Sequence, residues 1–114
     1  SDVYKRQELK RMRDLVEQMK GATSATAASQ IAFRFQHELA FLSGNTLLPL
    51  IFSSFKVPVI SLWERFCQLY GIDELYRNTD KLCRHLEARD VEGATQWINT
   101  YLTEAIEGKR SIYY

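Results

Sequence analysis

The sequence predicts an all-α fold, an antiparallel bundle of about five helices. Three observations carry that prediction. Apolar residues recur every three or four positions along most of the chain, the period of one helix face. No stretch alternates apolar with polar residues, and no Asn-Gly or Asp-Gly pair joins two apolar runs, so strands and hairpins have no signal. Helix stops (Gly21, Gly44, Gly71) and helix caps (Asn45, Asp73, Asp90) fall between the stripes, close enough for short connections.

Residues 1–7, SDVYKRQ, resemble translated sequencing-adaptor sequence; a polar helical lead-in is the alternative. They are set apart from a domain spanning residues 8–108. Helix one is predicted over Glu8–Lys20, with Leu9, Met12, Val16 and Met19 as its apolar stripe and interleaved charges on the wet side. Gly21 ends it, and ATSATAAS is a small polar loop. Helix two is predicted over Ala27–Leu42, its stripe running Ile31, Phe35, Leu39 and Leu42. Ser43-Gly44-Asn45 then writes a tight corner. Gly44 can take the left-handed conformation that ends a helix, and Asn45 can cap the next one.

Helix three is predicted from Asn45 to about Tyr70. It is apolar almost all round, so it should be central or lie at a subunit interface. Pro49 is near its first turn, and Pro58 is interior, where a kink is expected. Helix four is predicted from the cap Asp73 to Ala88, with the stripe Leu75, Thr79, Leu82 and Leu86. Helix five is predicted from the cap Asp90 to Gly108, with the stripe Val91, Ala94, Ile98, Tyr101 and Ala105. Residues 109–114 form a tail.

Composition excludes several function classes. The chain has 114 residues, 46% apolar and 25% charged, enough for one core without staples. Fifteen basic against fourteen acidic residues give a net charge of +1, which argues against a dedicated nucleic-acid surface. Cys67 and Cys83 belong to no metal or disulfide pattern, so packed, reduced thiols in a cytoplasmic protein are expected. The apolar run from Thr46 to Trp63 is broken by Pro49, Lys56 and Pro58, which fits a buried helix and no membrane span. The charged start has no signal-peptide core. His37 and His85 have no metal-ligand spacing, and no nucleophile motif or acid–base pair is present, so neither a metal site nor an enzyme is expected. Trp63 and Trp97 read as core or interface anchors.

The polar residues on apolar stripes are the remaining candidates. Thr79 and Tyr101 interrupt their stripes, and Gln36 stands one turn after Ala32 at the edge of another. Such groups either satisfy one another or line a ligand pocket between helices. Arg34 and Arg65 could meet an anionic ligand, with solvated arginines as the alternative reading.

The corner sequence, together with the pattern of the later helices, resembles the C-terminal effector domains of FadR-type regulators in the GntR family. Phe35, Leu39, Ala40, Ser43, Gly44 and Asn45 match that class's first motif, and Leu82, Leu86, Glu87, Asp90, Ala94 and Leu102 match its later pattern. The resemblance implies a truncated bundle of that type, with a winged-helix DNA-binding domain and one or more earlier helices lying outside this sequence. It implies a homodimer that senses a small anionic metabolite (a sugar acid, a carboxylate or an acyl-CoA) and transmits binding allosterically. Many relatives hold a divalent metal through one Asp and three His. The matching positions here are Ala32, Gln36, Thr79 and Tyr101, so no metal and no cofactor is expected. The loss is similar to the acyl-CoA-responsive branch, although Ala105 and Lys109 stand where that branch has a serine and a tryptophan. The ligand-binding set expected from this resemblance is Ala32, Gln36, Thr79, Tyr101 and Arg65. The alternative is a helical protein–protein interaction bundle without a ligand.

Overall fold

A computed structural model describes residues 2–107 of the chain. Its six helices are α1 (Asp2–Lys20), α2 (Ala25–Leu42), α3 (Leu48–Ser54), α4 (Lys56–Tyr70), α5 (Ile72–Glu87) and α6 (Val91–Ile106). The all-α bundle predicted from periodicity is the fold observed. Gly108 and the tail lie outside the described residues. α1 continues through residues 2–7 as regular helix, beginning six residues before Glu8.

The helix ends follow local chemistry. The Ser24 hydroxyl accepts from Ala27 N–H at 3.1 Å, so α2 begins two residues before the predicted start. At the corner, Gly44 has φ +79°, and the Asn45 side-chain oxygen accepts the N–H groups of Leu47 (2.9 Å) and Leu48 (3.3 Å). Asp90 caps α6 through Gly93 N–H at 2.7 Å. Asp73 does not cap. Gly71, at φ +94°, lets the chain enter α5 at Ile72, which puts Asp73 and Glu74 inside the first turn, where the helix dipole favours acids.

Helix three is two helices. The break is at Phe55 (φ −108°, ψ 22°), three residues before Pro58, instead of a kink at the proline. A continuous helix would need Pro58 to donate to the Ser54 carbonyl and would press its ring against that group. Ending α3 at Ser54 moves Pro58 into the first turn of α4, where no N–H donor is required.

The central element is α2, which packs against each of the other five helices. Its Phe35, Leu39 and Leu42 are buried with Met12, Val16 and Met19 of α1, Leu75, Leu82 and Leu86 of α5, and Ala94 and Ile98 of α6. The apolar α3–α4 arm is peripheral. It buries only Pro49, Trp63, Phe66 and Cys67 and leaves much of its apolar side chain surface in water. The central position expected from apolarity all round is not observed: within this chain these helices flank α2 and keep half or more of many apolar side chains exposed.

Where α1 meets α2, Glu38 is half-buried beside Glu8. Burial, then a hydrogen bond with Glu8 and repulsion from its charge, push the Glu38 carboxyl from 4.5 up to about 7, against the opposing pull of Arg11. The folded state therefore holds this proton more tightly than the unfolded chain. Stability should fall as pH rises from 4.5 to about 7 and level off above that. Solvent screening of this half-buried group limits the loss to about 1 kcal/mol. Glu38→Gln should flatten that part of the profile and raise the melting temperature at pH 8 by about 4 °C, measured by thermal unfolding across pH.

Candidate functional site

The interior between the helices is apolar, with a few polar residues set into its stripes. Ala32 and Gln36 lie one turn apart on α2 and are 1% and 6% exposed. Thr79 on α5 is 4% exposed and Tyr101 on α6 is 6% exposed. Helical spacing predicts this inward placement, because each residue keeps the register of the apolar side chains around it. Thr79 donates its hydroxyl proton to the Leu75 carbonyl at 2.7 Å, so only its lone pairs remain for another group. Arg65 is exposed. It follows Trp63 by two positions, which turns it to the far side of α4, and the structure does not bring it to the other four. Arg34 is likewise exposed.

Sequence reasoning missed Asn78, beside Thr79 on α5. Its side-chain nitrogen is buried and has no hydrogen-bond partner among the described residues. An unsatisfied buried donor costs about 1–3 kcal/mol. Its only signal was an amide one position off the stripe. Asn99 was also missed. Its side-chain N–H donates to the Ser43 carbonyl at 3.0 Å, fastening α6 to the Ser43-Gly44-Asn45 corner.

The two histidines stand apart from this interior group. His37 Nε2 lies 3.0 Å from the Ser53 hydroxyl, and its ring meets Phe33 and Phe41 at 6.0 and 5.0 Å. His85 stacks on Trp97 at 5.4 Å, and Trp97 stacks on Tyr101 at 5.2 Å with Arg89 over its ring. Both cysteines are buried. Burial raises the Cys67 thiol and pushes that of Cys83 up to about 12, so both are packed thiols and poor nucleophiles.

A family model for the FCD domain matches residues 4–104. This chain belongs to the FCD domain family. FCD domains are the C-terminal effector-binding domains of GntR/FadR-type transcription regulators, and they are parts of regulators, not enzymes. No curated protein and no solved structure matches this FCD domain. Residues 1–3 and 105–114, outside the match, are too few for a winged helix.

The divalent metal implied by the resemblance does not fit this FCD domain. Ala32, Gln36, Thr79 and Tyr101 supply a methyl group, a carboxamide, a hydroxyl already donating to Leu75 and a phenol. None is the carboxylate or imidazole that holds such an ion. Among the described residues, no group of three or more His, Cys, Asp or Glu side chains is placed to bind a metal. No described helix is long and apolar enough to cross a membrane.

Proposed function

We propose that this FCD domain senses a small anionic metabolite (a sugar acid, a carboxylate or an acyl-CoA) and allosterically controls DNA binding by a winged-helix domain outside this sequence. It acts as a cytoplasmic homodimer, needs no metal or cofactor and catalyses no reaction. The observation that carries this reading is the inward placement of Gln36, Thr79 and Tyr101 in a domain of the effector-binding family. These groups offer hydrogen bonds and no full charge. A ligand carboxylate would be held by the amide N–H groups of Gln36 and Asn78, while Thr79, whose proton goes to Leu75, would accept from a ligand hydroxyl or N–H. The ligand shifts the regulator between two arrangements only as far as it binds them unequally.

The test is a thermal-shift screen of the full-length regulator with acyl-CoAs, sugar acids and small carboxylates, with and without divalent metal. One ligand class should raise the melting temperature equally in both conditions. At a hundred times its Kd, the ligand adds about 2.7 kcal/mol. Gln36→Ala and Thr79→Val should shrink that shift by half or more. An equal shift in both variants would remove these residues from the site, and no shift with any ligand would leave the interaction-bundle alternative. That alternative is favoured by the exposed apolar side of α3 and α4.

A further inference from the structure

Arg89, Gly93, Trp97 and Tyr101 follow one another at four-residue steps, from the turn before α6 along one side of that helix. Side chains on a helix lean toward its N-terminus, so the Tyr101 ring comes down beside Trp97. The two rings stack at 5.2 Å with 21° between their planes. On the same indole, His85 stacks at 5.4 Å and 19°, and the Arg89 guanidinium carbon stands 5.1 Å from the ring centre. Arg89 also donates to the His85 carbonyl, which fixes its head at the last turn of α5. Gly93 puts no side chain between Arg89 and Trp97, so the arginine reaches across. Burial deepens along the stack: His85 is exposed, Trp97 half-buried and Tyr101 buried.

We propose that Trp97 is a positioning residue of the ligand site, holding the Tyr101 phenol inside the bundle through the stack that His85 and Arg89 back. The inference rests on the reading of Tyr101 as a ligand-binding residue and adds what keeps it in place. A tyrosine on a helix has two accessible χ1 wells, and the ring it stacks on decides between them. Without the indole, the second well lets the phenol turn toward water. Packing alone does not call for tryptophan at this half-buried position, since a leucine also covers apolar surface there. What an aliphatic side chain lacks is a flat face, which here meets a phenol, an imidazole and a guanidinium. His85 belongs to α5 and Arg89 to the turn, so the indole is braced from outside its own helix.

Trp97→Leu and Trp97→Phe in the 114-residue chain test the proposal by two measurements. The first is tyrosine nitration by tetranitromethane, read by peptide mass spectrometry. Tyr101 should resist in the wild type and in Trp97→Phe, which keeps a ring to stack on, and should react in Trp97→Leu. Cys67 and Cys83 are buried and should stay closed to iodoacetamide in all three proteins. The second is calorimetric titration with octanoyl-CoA, D-gluconate and citrate. The probe that binds the wild type should bind Trp97→Leu about tenfold more weakly, near the most that one stacked pair contributes. Trp97→Phe should recover most of that loss. A Tyr101 that resists nitration in Trp97→Leu would overturn the inference. So would thiols that open together with the phenol, because Trp97 would then be a packing residue. Tyr101→Phe separates this inference from the reading beneath it. If Tyr101→Phe weakens the probe and Trp97→Leu does not, only the positioning role fails. If Trp97→Leu alone weakens it, Trp97 acts otherwise than through the phenol, and the role fails as well. If neither does, or no probe binds the wild type, Tyr101 leaves the ligand site and the inference falls with it.

Discussion

Replacing Phe35 with alanine should lower the unfolding free energy by about 3–5 kcal/mol, the usual cost of emptying a buried aromatic site. Phe35 is fully buried on α2, the one helix that packs against all the others, so no single neighbour can move in to fill the gap. A domain of this size is stable by about 5–15 kcal/mol, so the loss takes a large share of the total. The midpoint of urea unfolding should fall by roughly 2 M. Phe41→Ala on the same helix is the control. Phe41 is 51% exposed, and its removal should cost less than about 1 kcal/mol. Equal costs for the two variants would mean that α2 is not the organising element.

Arg13→Ala should cost about 2 kcal/mol, the second largest single effect expected. Arg13 reaches from α1 to α5. It donates through Nε and Nη2 to the two oxygens of Glu87, at 2.8 and 2.6 Å, and through Nη1 to Asp80 at 2.7 Å. The paired bonds to Glu87, burial opposing them and the bond to Asp80 leave its pKa raised. Asp80 is 9% exposed, and its remaining partner is Arg84 at 2.8 Å. Removing Arg13 therefore strands a buried carboxylate with one cation from its own helix. Arg13→Lys should recover less than half the loss, because one ammonium cannot serve both acids in a fork. A double-mutant cycle with Asp80→Asn, read by thermal unfolding, should give a coupling above about 1 kcal/mol. Additive losses would show that the two residues act separately.

What could be read from the sequence was what is decided within a few residues. The corner at Gly44 and Asn45 and the cap at Asp90 depend on one backbone angle or one short hydrogen bond, and residue types announce both. The burial of Gln36, Thr79 and Tyr101 followed from register alone. The break at Phe55 was harder, because a proline perturbs the carbonyl four residues before it and is tolerated once a new helix starts nearby. The place of the α3–α4 arm was not readable, since apolar side chains declare that something covers them and not what does. Arg65 falls in the same class, as charge alone does not tell which side of a helix faces the interior. Asn99 depends on a carbonyl far along the chain, and the burial of the Asn78 amide is not announced by its own stretch.

The bond from Asn99 to the Ser43 carbonyl has a mechanical consequence. Asn99 precedes Tyr101 by half a turn on α6, and Ser43 closes α2 at the corner that leads to α3. Any sliding of that helix must either stretch this bond or carry the corner with it. Asn99 thus fixes where along its length α6 stands against the end of α2.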